Sequence, residues 1–367
     1  MAHGQLTLFL CGDVMTGRGL DQVFPRACPP GLYEPFVCSA LHYVALAEQA
    51  NGPIPRPVDH AYVWGEAREV LEREQPDVRL INLETSITTS EDADPKGINY
   101  RMHSGNVPVL TIARIDCCVL ANNHVLDWGR AGLVETLETF AQAGIRVAGA
   151  GRDLRAAEEP AVLEAGSGSR VLVFAFGATD SGIPSDWAAD TATAGVHLLP
   201  DFSGKTVERI ARLVLLTKRH GDLAVASIHW GANWGFDIPA THRRFAHALI
   251  DQARIDVVHG HSSHHPKAIE VYRDRLILYG CGDFLNDYEG IRDHDEFRDD
   301  LVLMYFVTLD VPTGRLVQLK MTPLQIRNFR LKHPAAAARA WLRDTLDREC
   351  RRFGHHIRLD NRALRIE

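Results

Sequence analysis

Short apolar runs recur along this chain, and helical patterns separate them. The runs Leu6–Cys11, Val78–Leu83, Cys117–Leu120, Val147–Ala148, Val171–Phe176, Leu223–His229, Val257–His259 and Leu276–Tyr279 read as strands. Two more are expected at Leu301–Leu309 and Leu316–Met321. Gly132–Ala143 and Ala240–Ala253 carry a helical period; in the first, Leu133, Leu137 and Phe140 share one face. Strand–helix alternation of this kind predicts an α/β architecture with much parallel pairing. Val23–Pro57 is rich in Pro and Gly without a strand pattern, and reads as an inserted loop or lid. Ser90–Asn106 is polar and irregular. The tail predicts one helix: Pro334 suits its first turn, Ala335–Ala338 are strong formers, Arg351 and Arg352 suit its end, and Gly354 can cap it.

Polar clusters at the strand ends carry the chemistry. Leu10-Cys11 gives way to Gly12-Asp13, and Leu80-Ile81 to Asn82-Leu83-Glu84. Leu120-Ala121 leads into Asn122-Asn123-His124, and Ser227-Ile228 into His229-Trp230-Gly231. Val257-Val258 leads into His259-Gly260-His261 and then Ser262-Ser263-His264-His265. Ligands of open α/β sheets bind outside the carboxyl ends of the strands. Five such clusters converge if their strands are neighbours. Carboxylate and amide oxygens suit hard divalent cations, and imidazole suits Zn, Fe or Mn. The mixture predicts a site for one or two divalent metal ions (Mn, Zn, Fe or Ca).

Bulk properties narrow the partners. A net charge of −7 argues against a dedicated nucleic-acid binder, which needs a basic surface. Seven cysteines, an odd number with no CxxC, suit a reducing cytoplasm better than a disulfide framework. No basic stretch and cleavage site precede Leu6, and no apolar run reaches membrane-spanning length. A cytoplasmic protein without a membrane span is expected, acting on a small-molecule or peptide substrate.

The ordered motifs resemble those of a known family. Gly12-Asp13-Val14-Met15-Thr16-Gly17-Arg18, Asn82-Leu83-Glu84, Ala121-Asn122-Asn123-His124, Gly149-Ala150-Gly151, His229-Trp230-Gly231, Gly260-His261-x-x-His264 and Tyr279-Gly280-Cys281-Gly282-Asp283-Phe284 are similar to the CapA family. These are capsule or poly-γ-glutamate biosynthesis proteins, similar in fold to calcineurin-like metallophosphoesterases. The resemblance runs from about Leu6 to Leu309. It implies a metallophosphatase-like four-layer α/β/β/α sandwich, two central mixed sheets flanked by helices. One such domain is expected over 1–330, with the loop or lid at about 23–57 inserted in it and a C-terminal helix and tail over 331–367 packed on the core.

The resemblance also implies roles. Asp13 and His264 would hold a first metal; Asn123, His229 and His261 a second; Glu84 would bridge them. His124 would touch substrate and serve as a general acid. Three positions depart from the pattern: Met15 stands where phosphoesterases have a histidine, Ala232-Asn233 follow His-Trp-Gly, and Asp283 replaces a common asparagine. These argue against ordinary phosphatase chemistry. Many family members carry an N-terminal membrane anchor; none is seen here, so a place in a membrane export complex is not expected.

Several chemistries fit. Metal-assisted hydrolysis or transfer on a peptide-like or polyglutamate-like substrate is one, with Arg18 and Arg101 forking a carboxylate or phosphate, and Asn122 and Trp230 also lining the substrate. Peptide epimerisation is another, in which Asp13, His124, His264, His265 and His294 supply acid/base partners for a Cα proton. Phosphoester hydrolysis and a non-catalytic binding role are the remaining alternatives. Trp64, Trp128, Trp230 and Trp234 could line an apolar pocket, although core packing is the ordinary role of tryptophan.

Overall fold

Strand Gln5–Val14 lies in the middle of the larger of the two main sheets in the computed structural model, which describes residues 4–166, 168–291 and 293–367. On one side it pairs in parallel with Val78–Leu83, followed by Cys117–Val119 and Arg146–Ala148, also parallel. On the other side it pairs antiparallel with Leu301–Asp310, which pairs with Arg315–Ile326. The second sheet has four parallel strands: Arg170–Gly177, Leu223–His229, Val257–His261 and Arg275–Leu278. Its edges are the antiparallel strands Ala161–Glu164 and Ile269–Tyr272.

Two-residue periodicity sorts each strand between layers. Leu6, Leu8 and Leu10 face Val171, Val173, Ala175, Val225 and Val257 across the space between the sheets. Phe9 and Cys11 point outward, into a core with Val44, Val70, Leu133 and Phe140 of helices Leu41–Asn51, Ala67–Glu74 and Gly129–Ala143. Leu172, Phe174 and Phe176 pack outward on helices Gly204–Thr217 and Ala240–Ala253. The product is a four-layer α/β/β/α sandwich of two mixed sheets, as the motifs implied. Its strands carry apolar residues on both faces because both faces are covered.

Some expectations need correcting. The segment Val23–Pro57 is not all loop: helix Leu41–Asn51 packs Val44 and Ala47 into the outer core. The irregular segment Ser90–Asn106 contains Arg101–Met102, a short strand paired with Ser86–Ile87. The tail holds more than a helix, because the hairpin Ile357–Asp360 and Ala363–Ile366 extends the larger sheet through Arg315–Ile326.

Helix Ala336–Cys350 buries Ala338, Leu342, Leu346 and Cys350 among the residues between the sheets. Leu342→Ala should therefore cost about 2–5 kcal/mol of stability, the range for a buried leucine whose cavity cannot fully collapse. Urea unfolding measures it; a loss under about 0.5 kcal/mol, as for a surface change, would place the helix outside the core. Among the described residues, no helix is long and apolar enough to cross a membrane.

Candidate metal centre

The parallel strands of both sheets end at one place. Asp13 is the register partner of Asn82 on one side and Asp283 on the other. Its backbone N–H donates to Gly282 O at 2.9 Å. Its carboxylate accepts from Asn82 Nδ2 at 2.7 Å and from the Ser262 N–H at 3.1 Å. Asn82 Nδ2 also reaches Glu84 Oε2 at 3.3 Å, so one amide holds both carboxylates. In the second sheet His229 and His261 are register partners, which turns both rings to the same face. Their Nδ1 atoms lie 2.9 Å apart, and His261 Nδ1 is 3.8 Å from Asp13 Oδ1 of the other sheet.

The remaining donors close around this pair. Asn123 Oδ1 is 3.1 Å from His229 Nε2, and Glu84 Oε1 is 4.0 Å from the same nitrogen. His264 Nδ1 meets Asp283 Oδ1 at 2.9 Å, while its Nε2 is 3.1 Å from Asn233 Nδ2. Asp283 Oδ2 accepts from Asn286. Ligand atoms of Asp13, His229 and His261 all lie within 4.8 Å of one another.

Burial sets the charges. It pushes Asp13 up to about 7, with the Asp283 carboxylate adding to the rise. Glu84 is raised by burial and by Asp13. His229 and His261 are driven well below the usual imidazole range by burial, then by neighbouring histidines. His264 is also pushed down by burial, but Asp283, with Asp13 and Asp299, turns the net shift upward. Crowded carboxylates beside neutral imidazoles are what a divalent cation satisfies, and this donor set fits one.

His124 stands at the edge. Its Nδ1 donates to Asp127 Oδ2 at 2.6 Å, and its Nε2 faces Glu84 Oε1 at 3.8 Å. Lys96 Nζ pairs with Asp127 Oδ1 at 2.7 Å and donates to Asn123 O. Burial lowers His124 to about 4, so near neutral pH the ring presents a lone pair.

Other expected residues do other work. Arg18 is buried, its fork engaged by Asp287 at 3.1 and 2.5 Å, with Glu34 at 2.9 Å and Tyr43 at 3.1 Å. It ties the 23–57 segment to the sheet end, leaving no free fork for substrate. Arg101 donates to Ser90 O and lies over the Trp128 ring at 3.7 Å, so it too is structural. Asn122 is fully buried, donating to Asn82 Oδ1 and Leu83 O; it shapes the loop instead of lining substrate. Trp230 donates to Tyr279 O and stacks on His242 in the outer core of the second sheet. Trp64 is likewise core, donating to Val109 O. His265 packs between Phe236 and Phe297 with Nδ1 on Pro266 O, so His264 is the partner of the carboxylates. His294 stacks on Trp234 at 4.0 Å, and Trp234 stands against His264. Neither His265 nor His294 meets the buried carboxylates in a hydrogen bond.

Five contributors escaped the sequence reading: Asn82, Asp283, Asp127, Lys96 and Asn233. Asn82 and Asp283 sit inside quoted motifs, and Asp127 lies three residues after His124, a spacing that could have suggested pairing. Nothing in the sequence around Lys96 points to the site.

Known proteins are similar to this chain in sequence. The family described as bacterial capsule synthesis protein PGA_cap matches residues 7–288. A probable polyglutamine synthesis accessory protein of Mycobacterium tuberculosis is 49% identical, over 96% of this chain and 93% of its own length. A PGA biosynthesis protein CapA of Bacillus subtilis is 31% identical, over 88% of this chain and 72% of its own. A solved structure described as a novel phosphatase from Mycoplasma pneumoniae covers 88% of this chain and 94% of its own at 10% identity and a TM-score of 0.46, too slight a likeness to argue from. With a match reaching from the first strand past the Gly-Asp-Phe motif, this chain belongs to the bacterial capsule synthesis protein family PGA_cap.

Proposed function

We propose that this chain is a metal-dependent enzyme acting on a polyglutamate-like or other carboxylate-rich peptide substrate. The observation that carries the metal reading is the meeting of Asp13, His229 and His261 from two separate sheets, with Glu84, Asn123 and His264 beside them. The substrate class rests on what the relatives' names say of them: polyglutamine synthesis for one, PGA biosynthesis for another.

Asp13, Glu84, Asn123, His229, His261 and His264 would hold one or two divalent cations. A bound cation would supply Lewis acidity toward a carbonyl or carboxylate oxygen. The chain supplies the rest. Asn82 fixes Asp13 and Glu84, so the carboxylates need not reorganise on binding. Asp127 orients His124 and holds the proton on Nδ1, leaving Nε2 to take a proton from water or substrate. Asp283 orients His264 through Nδ1, while Asn233 lies 3.1 Å from its Nε2.

Metal analysis tests this directly. The wild-type protein, equilibrated with Mn, Zn, Fe or Ca and desalted, should retain about one or two equivalents of at least one of them. Joint replacement Asn123→Ala and His229→Ala should remove most of that. Wild type that retains none, or a double variant that retains all, would sink the assignment. Poly-γ-glutamate oligomers then report the reaction: shortened chains mean hydrolysis, and deuterium uptake from D₂O without shortening means epimerisation.

A further inference from the structure

We propose that Ser227 and His259 are positioning residues that fix the proton of His261 on Nε2, so that His261 offers Nδ1 to the metal centre. The inference deepens the metal reading above and rests on it for its purpose, though not for its geometry.

The chain of contacts starts at a group with one possible role. Cys11 O is a backbone carbonyl and can only accept. His259 Nε2 lies 2.8 Å from it, so Nε2 carries the proton. The His259 ring is fully buried, and its two nitrogens meet a backbone carbonyl and a hydroxyl, neither of which carries a charge to offset an imidazolium, so the ring is neutral. A neutral ring has one N–H, so His259 Nδ1 is bare. Ser227 Oγ is 3.0 Å from that nitrogen and must donate to it. A hydroxyl has a single proton. Toward His261 Nε2, also 3.0 Å away, the same oxygen can only accept. His261 Nε2 therefore carries its proton, and Nδ1 is left with a lone pair.

That lone pair has a destination. His261 Nδ1 lies 2.9 Å from His229 Nδ1 and 3.8 Å from Asp13 Oδ1, inside the three-residue donor group. A neutral His229 whose Nε2 donates to Asn123 Oδ1 also presents a bare Nδ1, so the two Nδ1 lone pairs meet at one point that a cation would fill. The geometry comes from strand periodicity. His259 and His261 alternate with Gly260 and so share a face of Val257–His261. Ser227, register partner of His259 on the neighbouring strand, turns its hydroxyl between the two rings. The relay also spans the sandwich, because Cys11 belongs to the larger sheet and lies two residues before Asp13. Ser227, His259 and His261 are all almost wholly buried, so water does not compete for these protons.

Long-range ¹H–¹⁵N NMR of the histidine-labelled, metal-free wild-type protein reads the tautomers without any activity. The expected result is protonated Nε2 and bare Nδ1 for both His259 and His261. Protonated Nδ1 on His261 would overturn the proposal. Ser227→Ala removes the acceptor; it should give His261 a tautomer mixture and weaken Mn or Zn binding by calorimetry roughly 10–100-fold, the usual effect of losing a ligand's outer partner. His259→Gln can still donate to Cys11 O and accept from Ser227, and should retain most of the wild-type affinity. Unchanged tautomer and affinity in Ser227→Ala would also overturn it. The two readings fail differently: predicted tautomers in a protein that binds no metal defeat the metal centre alone, and metal binding with His261 protonated on Nδ1 defeats the relay alone.

Discussion

Gly12→Ala is expected to lose about 4 kcal/mol or more of stability, or to yield no folded protein at all. A Cβ at Gly12 would sit 1.6 Å from Gly282 O and 2.5 Å from Gly282 C, both backbone atoms. The strand cannot simply step aside. Asp13 N–H donates to Gly282 O, and Met15 N–H donates to Leu285 O, so the same stretch is hydrogen-bonded on both sides of any shift. Gly282 is itself hemmed in, since a Cβ there would lie 2.9 Å from Pro266 and its φ is +78°. Moving either backbone separates Asp13 from Asp283. Losses of this size come from a short set of causes, of which forced overlap in a packed core is one. Gly204→Ala is the control: it opens helix Gly204–Thr217, has nothing within 4 Å, and should be neutral or stabilising by up to about 1 kcal/mol. Urea unfolding compares the two. If Gly12→Ala falls within about 1 kcal/mol of wild type and matches it in metal retention, the close approach does not build the site.

That contact explains what the sequence could and could not reveal. Apolar runs ending in Gly12-Asp13, Asn82-Leu83-Glu84 and His229-Trp230-Gly231 are local patterns, and they announce both the strands and the polar ends. The fold layers emerge from them because each strand's period assigns its residues to one core or another. Asp283 was harder to see as part of the site. Its strand, Asp283–Leu285, has only three residues, and its pairing with Asp13 spans most of the chain. Arg18 misled for the same reason. A motif arginine after glycine suggests an anion clamp, but Asp287 neutralises it from 269 residues away. Helix Leu41–Asn51 was missed because its apolar residues do not form one stripe: Leu41 is 45% exposed while Val44 and Ala47 are buried. Its packing, not its pattern, makes it a helix.

Acidification should weaken metal binding by roughly tenfold per pH unit below about pH 7, through Asp13 alone. In the metal-free protein burial, then Asp283, lifts Asp13 from its ordinary 3.8 to about 7. A raised carboxyl binds a proton in the folded chain where the unfolded chain has already lost it. Its contribution to stability is therefore fully present below about pH 4 and is lost as pH rises through about 7. His229 and His261 act in the opposite sense. Their values are pushed below 6.5 by burial, so their contribution is present above that and is lost as pH falls. A cation competes with protons for all three residues, and its advantage grows as each deprotonates. At a metal concentration of about 100 Kd at pH 7, binding should add about 2.7 kcal/mol to stability. Two pH units lower, a roughly hundredfold weaker affinity removes nearly all of it. Urea unfolding with and without metal at about pH 5 and pH 7 measures the gap. Calorimetry in buffers of different ionisation heat counts the protons released, at least about one per metal near pH 6. A gap that stays constant with pH would mean that the cation binds away from Asp13, whose raised carboxyl must lose its proton before it can hold a metal.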